Sequence, residues 1–374
     1  MILGLLCLFV LVVSCKEEPL PIEPKVPQRV VLIYMGGDNN LSSETYDKIN
    51  IITQSWSDAY DGKLFIYSDP WGATPALYEI KTINGEGATQ MVESYPEENS
   101  ADSRVFERVI RKVTTENPAH SYGLVLFSHA SGWLPEQTLL RPKSVIIDGT
   151  NEMDLVDLAA AIPDGRFDFI LFEACFMAGI EVAYELKDKA KYIAASSAEI
   201  VSPGFTPVYP QVIGQLFAPE ADLKGVIETY YAHCDRQTGY KRSVTFSLIR
   251  TEALTELAAW MRDNITHAGK DPRIEMAPVE MNHVQTFDRY TNYNLFFDFQ
   301  DLYSGYVEAK EKKQLATLME ECVPFKVASS AFMEGANGFQ INSHSGLTTY
   351  TFQERFPFLN ASYRQLKWYK EVWE

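Results

Sequence analysis

Short, continuous apolar segments alternate with stretches of helical periodicity across residues 29–249, and this alternation constrains the fold most. The apolar segments are 29–35 (RVVLIYM), 63–68, 76–81, 122–128, 144–147, 167–174 and 191–196. Helical periodicity falls at 42–57, 104–114, 154–162 and 177–190. Strands that are apolar on both faces must be covered on both faces, so the predicted core is α/β: a mostly parallel sheet flanked by helices on each side. Beyond Pro207 the pattern turns mainly helical, at 207–217, 221–234 and 251–267, with one further strand at 243–249. After about residue 271 the periodicity weakens and aromatic residues crowd 287–306. Residues 250–374 therefore read as a smaller, mainly helical region packed on a core of 29–249.

Residues 1–14 (MILGLLCLFVLVVS) carry no charge, and the run is too short to span a bilayer, which takes about 20 residues. Its length suits the apolar part of a secretory signal. Cys15 follows in the string Val-Val-Ser-Cys, which resembles the bacterial lipobox. That resemblance implies lipidation of Cys15, with residues 15–28 as a proline-rich tether, and a location in the bacterial cell envelope. Contact with the membrane would then run through the N-terminal lipid alone. The alternative is a buried N-terminal helix.

The 374 residues hold 33 basic and 50 acidic side chains, a formal net charge of −17. Such an excess repels phosphate backbones, so nucleic acid is not an expected partner. Of the five cysteines, Cys7 and Cys15 fall in the leader, leaving Cys175, Cys234 and Cys322 in the body. An odd number cannot pair completely, so at least one thiol is free. No zinc-like CxxC, phosphate loop or calcium loop is visible, and the expected chemistry needs no cofactor or metal.

In open parallel sheets, ligands gather at the carboxyl ends of strands. Two predicted strands end in reactive side chains: 122–128 runs into His129, and 167–174 runs into Cys175. Each alone has an ordinary structural explanation, as a satisfied polar residue or a buried small hydrophobe. Together at matching strand ends they suit thiol chemistry, because an imidazole can raise the availability of a thiolate or shuttle its proton. The other histidines have no comparable setting; His344, in His-Ser-Gly, comes nearest.

The strings YMGGDNNL (34–41), FSHASGW (127–133) and FEACFMA (172–178) resemble the clostripain family of cysteine peptidases. The likeness runs from about Val30 to beyond Gly204, with weaker echoes at Asp301-Leu302 and 345–347. It implies the caspase–gingipain–legumain fold, a polypeptide substrate, His129 as acid/base and Cys175 as nucleophile. It also implies that the backbone N–H groups of Ala130 and Cys175 hold the oxyanion. Ala130 stands where the family usually has glycine, and Glu173 where it commonly has aspartate.

An acidic pocket in clostripain-like enzymes selects Arg or Lys before the scissile bond (the P1 residue), and Glu173 and Glu199 are the two candidates here. Trp133 is expected to wall the cleft or pack beneath it, and Asp38 to join the site or cap the following helix. Lys143, between the His and Cys segments, is a candidate processing site. Calcium, reported for some relatives, stays open. The rivals are a peptide-binding protein that lost turnover and a cysteine amidase.

Overall fold

The computed structural model describes residues 26–135, 145–269, 283–289 and 293–374. Cys15, the signal segment, most of the tether and Lys143 lie outside the described residues. In chain order the strands up to residue 328 are β1 (Arg29–Gly37), β2 (Gly62–Pro70), β3 (Ala76–Ile83), β4 (Glu86–Ser94), β5 (Ser121–Phe127), β6 (Ile146–Asp148), β7 (Asn151–Met153), β8 (Phe167–Glu173), β9 (Ala190–Ala195), β10 (Thr245–Arg250), β11 (Phe297–Asp298) and β12 (Phe325–Ala328). Nine of them form one sheet in the order β12-β10-β9-β8-β5-β1-β2-β3-β4. Its centre, β9-β8-β5-β1-β2, is parallel throughout. The flanks are antiparallel: β3 and β4 on one side, β10 and β12 on the other.

Alternate side chains along each central strand go to opposite layers, as the two-residue period of a strand requires. Val31, Ile33, Leu64, Ile66, Val125 and Leu171 pack with α1 (Ser42–Ser55), α5 (Tyr209–Leu216) and α6 (Leu223–Asp235). Leu32, Tyr34, Leu124, Leu126, Ile170 and Phe172 pack with α2 (Ser103–Glu116), α3 (Leu155–Ala161), α4 (Ile180–Glu185) and α7 (Leu254–Met261). Each fully buried aliphatic or aromatic side chain contributes about 1.5–3 kcal/mol, so the doubly covered centre is the stable part of the molecule.

Two elements depart from the sequence expectation. β4 is an edge strand with most residues exposed, so its sequence lacks the apolar run that marks the central strands. The helix expected at 177–190 shrinks to Ile180–Glu185, because Gly179 is spent in a bridge to Thr348 and residues 186–189 turn into β9. The C-terminal region also enters the main sheet, as β12 pairs with β10.

Several carboxyl groups are buried in this framework. Glu181, at the start of α4, accepts from the Tyr350 N–H at 2.8 Å and the Thr349 hydroxyl at 3.0 Å, tying the C-terminal region to the core. Burial pushes it up to about 7. Asp69, near the end of β2, is pushed up to about 8, first by burial and then by the neighbouring Asp148 carboxylate. The folded chain keeps these protons at pH values where the unfolded chain has lost them. Their contribution to stability is thus complete below about pH 4 and is lost as pH rises through about 7 for Glu181 and about 8 for Asp69. Urea unfolding midpoints are expected to fall between pH 5 and pH 8.5, and Glu181→Gln is expected to flatten that fall. An unchanged slope in the variant would remove Glu181 from the account.

Candidate active site

The parallel ladder between β5 and β8 pairs Gly123 with Phe169 and continues in step to Phe127 with Glu173. Two residues past that last pair stand His129 and Cys175. They follow the ends of adjacent strands, whose backbones run about 4.8 Å apart. Both are half-buried at the sheet's carboxyl edge. Cys234 and Cys322, by contrast, are buried, and burial pushes their thiols up to about 11 and about 12. A thiol with so little tendency to ionise is a poor nucleophile, which leaves the half-buried Cys175 as the candidate among the three in the body.

The two loops press against each other. Gly132 has φ +67°, and a Cβ there would lie 2.7 Å from the Phe176 carbonyl oxygen. A side chain at 132 is therefore barred both by the backbone conformation and by the facing loop. Phe176, directly after Cys175, holds the rare φ of +62° and stacks on Phe296 with ring centroids 4.6 Å apart. Strain of this kind survives where the surroundings fix it, and the Phe176 N–H donates to the Ala198 carbonyl at 2.9 Å.

Two contacts around the pair were not foreseen. Asn40 Oδ1 accepts from His129 Nε2 at 2.5 Å, which orients the ring and leaves Nδ1 as the nitrogen on its other side. The Ile200 N–H donates to Cys175 Sγ at 3.3 Å, an interaction that favours the thiolate. Asn40 lies within the GGDNN string, but nothing in the sequence says which of its polar residues reaches across to residue 129.

The acidic candidates have different fates. Glu173 does not line a substrate pocket: it is fully enclosed on the α1/α5 side of the sheet. Its Oε1 accepts from Lys48 Nζ at 2.6 Å and the Phe205 N–H at 2.7 Å, and its Oε2 from the Tyr209 hydroxyl at 2.8 Å. Burial raises its carboxyl above the ordinary range against the pull of Lys48. The side of the sheet it faces is filled by α1, the helix that carries Lys48. Even the covering turn is fitted to it, since a Cβ on Gly204 (φ +58°) would meet Glu173 Oε1 at 2.6 Å.

Glu199, one residue before Ile200, is half-buried and forms a two-pronged ion pair with Arg289. Trp133 is not a cleft wall either: it is 3% exposed and packs against Tyr350 and Tyr363. Asp38 neither caps α1, whose first residues are braced by Asn39 and Ser42, nor joins the pair. Burial and then Asp148 raise its carboxyl, and its carbonyl accepts from the Gly149 N–H. Ala130 is buried in the His129 loop. His344 is half-buried: desolvation and then the Lys326 charge drop it to about 3, and its Nε2 meets the Ser197 hydroxyl at 3.2 Å.

Removing one member of a buried ion pair strands the other charge, at a cost of about 3–5 kcal/mol. Lys48→Ala is expected to lower the unfolding free energy by about that amount, whereas Lys48→Met with Glu173→Leu recovers most of it. A single variant costing less than about 1 kcal/mol in urea titration would contradict the enclosure of Glu173.

Comparison with known proteins agrees with this fold. The model of the Clostripain family matches residues 33–373. An inactive zymogen C11 protease from Parabacteroides distasonis is 32% identical, covering 94% of this chain and 100% of its own, with a TM-score of 0.81. A secreted C11 cysteine protease from Bacteroides thetaiotaomicron, solved with an irreversible peptide inhibitor, is 25% identical over 92% of this chain and 99% of its own, with a TM-score of 0.79. A clostripain from the same organism, in complex with the peptide inhibitor BTN-VLTK-AOMK, is 25% identical over 60% of this chain and 97% of its own, with a TM-score of 0.51. No curated protein sequence matches the chain. A mostly parallel sheet flanked by helices, and a family match that spans nearly the whole chain, lead to one assignment: the chain belongs to the clostripain family of C11 cysteine peptidases.

Proposed function

We propose that the chain is an endopeptidase in which Cys175 and His129 form the catalytic dyad, cleaving after Arg or Lys. The observation that supports this reading is the unbroken β5/β8 register, which ends at Phe127 and Glu173, each two residues before one member of the pair. Cys175 Sγ, as the thiolate, attacks the scissile carbonyl carbon, and a C–S bond forms while the carbonyl oxygen takes the negative charge. The N–H groups of Ala130 and Cys175 receive that oxyanion; alanine in place of glycine keeps its donor. Each such donor is worth about 100- to 1000-fold in rate. His129, its Nε2 tied to Asn40, passes the proton on Nδ1 to the leaving amine as the C–N bond breaks. The same ring then takes a proton from the water that hydrolyses the thioester.

Glu199, not Glu173, is the carboxylate available to a basic P1 side chain. It lies next to the residue whose N–H reaches the Cys175 sulfur, and it already binds a guanidinium from within the chain. The clostripain inhibitor peptide VLTK ends in lysine, in keeping with a basic preference among relatives.

A fluorogenic peptide series with Arg, Lys and neutral residues at P1 tests both parts. Cys175→Ala and His129→Ala are each expected to abolish measurable turnover. Glu199→Gln is expected to cut kcat/KM for Arg and Lys peptides by about 10- to 100-fold, with little change for neutral ones. Turnover retained by Cys175→Ala would leave the peptide-binding alternative or another nucleophile. An unaltered basic preference in Glu199→Gln would displace Glu199 from the pocket.

A further inference from the structure

Glu199 is not waiting empty for a substrate. Arg289 donates to both of its oxygens, from Nε and from Nη2, the latter at 3.0 Å, while Nη1 donates to the Ala336 carbonyl at 3.1 Å. Both side chains of the pair are 15% exposed, so it is largely withdrawn from water without being sealed. Hydrogen bonding to Glu199 holds the Arg289 guanidinium above its ordinary value, and the Cys175 sulfur adds to the effect. The cation therefore lies close enough to the nucleophile for their charges to interact.

Arg289 is delivered by a braced turn. Thr286 bridges to Phe297, and Asp288 Oδ2 accepts from the Leu295 and Phe296 N–H groups at 2.6 and 3.1 Å. Phe287 is buried edge-on against His344, with centroids 5.5 Å apart. The Arg289 carbonyl accepts from Asn337 Nδ2 at 3.3 Å. Neighbouring contacts on both sides thus hold the residue in place, and its fork of donors matches a carboxylate as a substrate arginine would.

We propose that Arg289 is a built-in competitor for the P1 pocket, occupying on Glu199 the place that a substrate arginine or lysine takes. This rests on the reading of Glu199 given above. A basic P1 side chain must displace Arg289, so part of its binding energy goes into breaking an equivalent pair, and apparent affinity falls by the fraction of time the pocket is open. A neutral P1 side chain gains nothing from the exchange. Arg289 thereby sets how strongly a peptide must bind elsewhere before its basic residue is accepted. If Arg289 merely supported Glu199, its removal would act with the opposite sign, weakening basic peptides.

The test is calorimetric binding to the full chain carrying Cys175→Ala, which removes turnover. Two acetylated peptides are compared, identical except for arginine or norleucine at P1. Adding Arg289→Ala is expected to tighten the arginine peptide by about tenfold and leave the norleucine peptide unchanged. Arg289→Lys should bind as the parent does. Arg289→Gln, which keeps neutral donors for Glu199, should shift affinity in the same direction as alanine, and it serves if the alanine variant folds poorly. Unchanged or weaker binding of the arginine peptide in the Ala and Gln variants overturns the proposal. Glu199→Gln in the Arg289→Ala background separates the two ideas. If it weakens the arginine peptide while Arg289→Ala had not tightened it, only the competitor falls. If it leaves the arginine peptide unaffected, the P1 assignment of Glu199 fails and the competitor with it.

Discussion

The hydrogen-bond ladder between β5 and β8 is the constraint on which the site depends. Because the two strands run parallel and in unbroken step from Gly123–Phe169 to Phe127–Glu173, the residues that follow emerge side by side. A slip of one residue would send each outgoing side chain to the other face of the sheet. The register is in turn secured by burial on both faces: Val125 and Leu171 belong to one layer, Leu126 and Phe172 to the other. Packing that stabilises the molecule is thus the same packing that fixes the strand ends from which the His129 and Cys175 loops depart.

Around that edge the chain separates its charges by role. Glu173 is withdrawn into the α1/α5 layer and matched by Lys48, an arrangement that fixes the end of β8 two residues before Cys175. Such a pair adds little net stability once desolvation is counted, yet breaking it is costly, so it serves position more than strength. Glu199 remains near the surface, paired with Arg289 and next in sequence to the residue whose N–H reaches the Cys175 sulfur.

Much of the scaffold was legible in the sequence, and the reason is burial. Strands covered on both faces must be continuously apolar, so β1, β2, β5, β8 and β9 announce themselves. β4 does not, because an exposed edge strand has no need of apolar residues, and β12 is only four residues long. The histidine and cysteine stood out because each comes two residues after such a strand. Their supporting cast was not: Asn40 reaches His129 across 89 positions, Arg289 reaches Glu199 across 90, and Lys48 reaches Glu173 across 125. Contacts of that separation follow from the finished fold and leave no local pattern. Trp133 and Glu173 show the converse, since position beside a reactive residue in sequence says nothing about whether the side chain turns toward solvent or into the core.

The claim that the imidazole and the sulfur act together is tested most directly by the pH dependence of Cys175 alkylation with a small neutral reagent, in the parent and in His129→Ala. An unassisted thiol reacts along a curve centred near pH 8.5. The parent is expected to stay reactive well below that pH, and His129→Ala to fall back to the unassisted curve. Superimposable profiles for the two proteins would contradict the account.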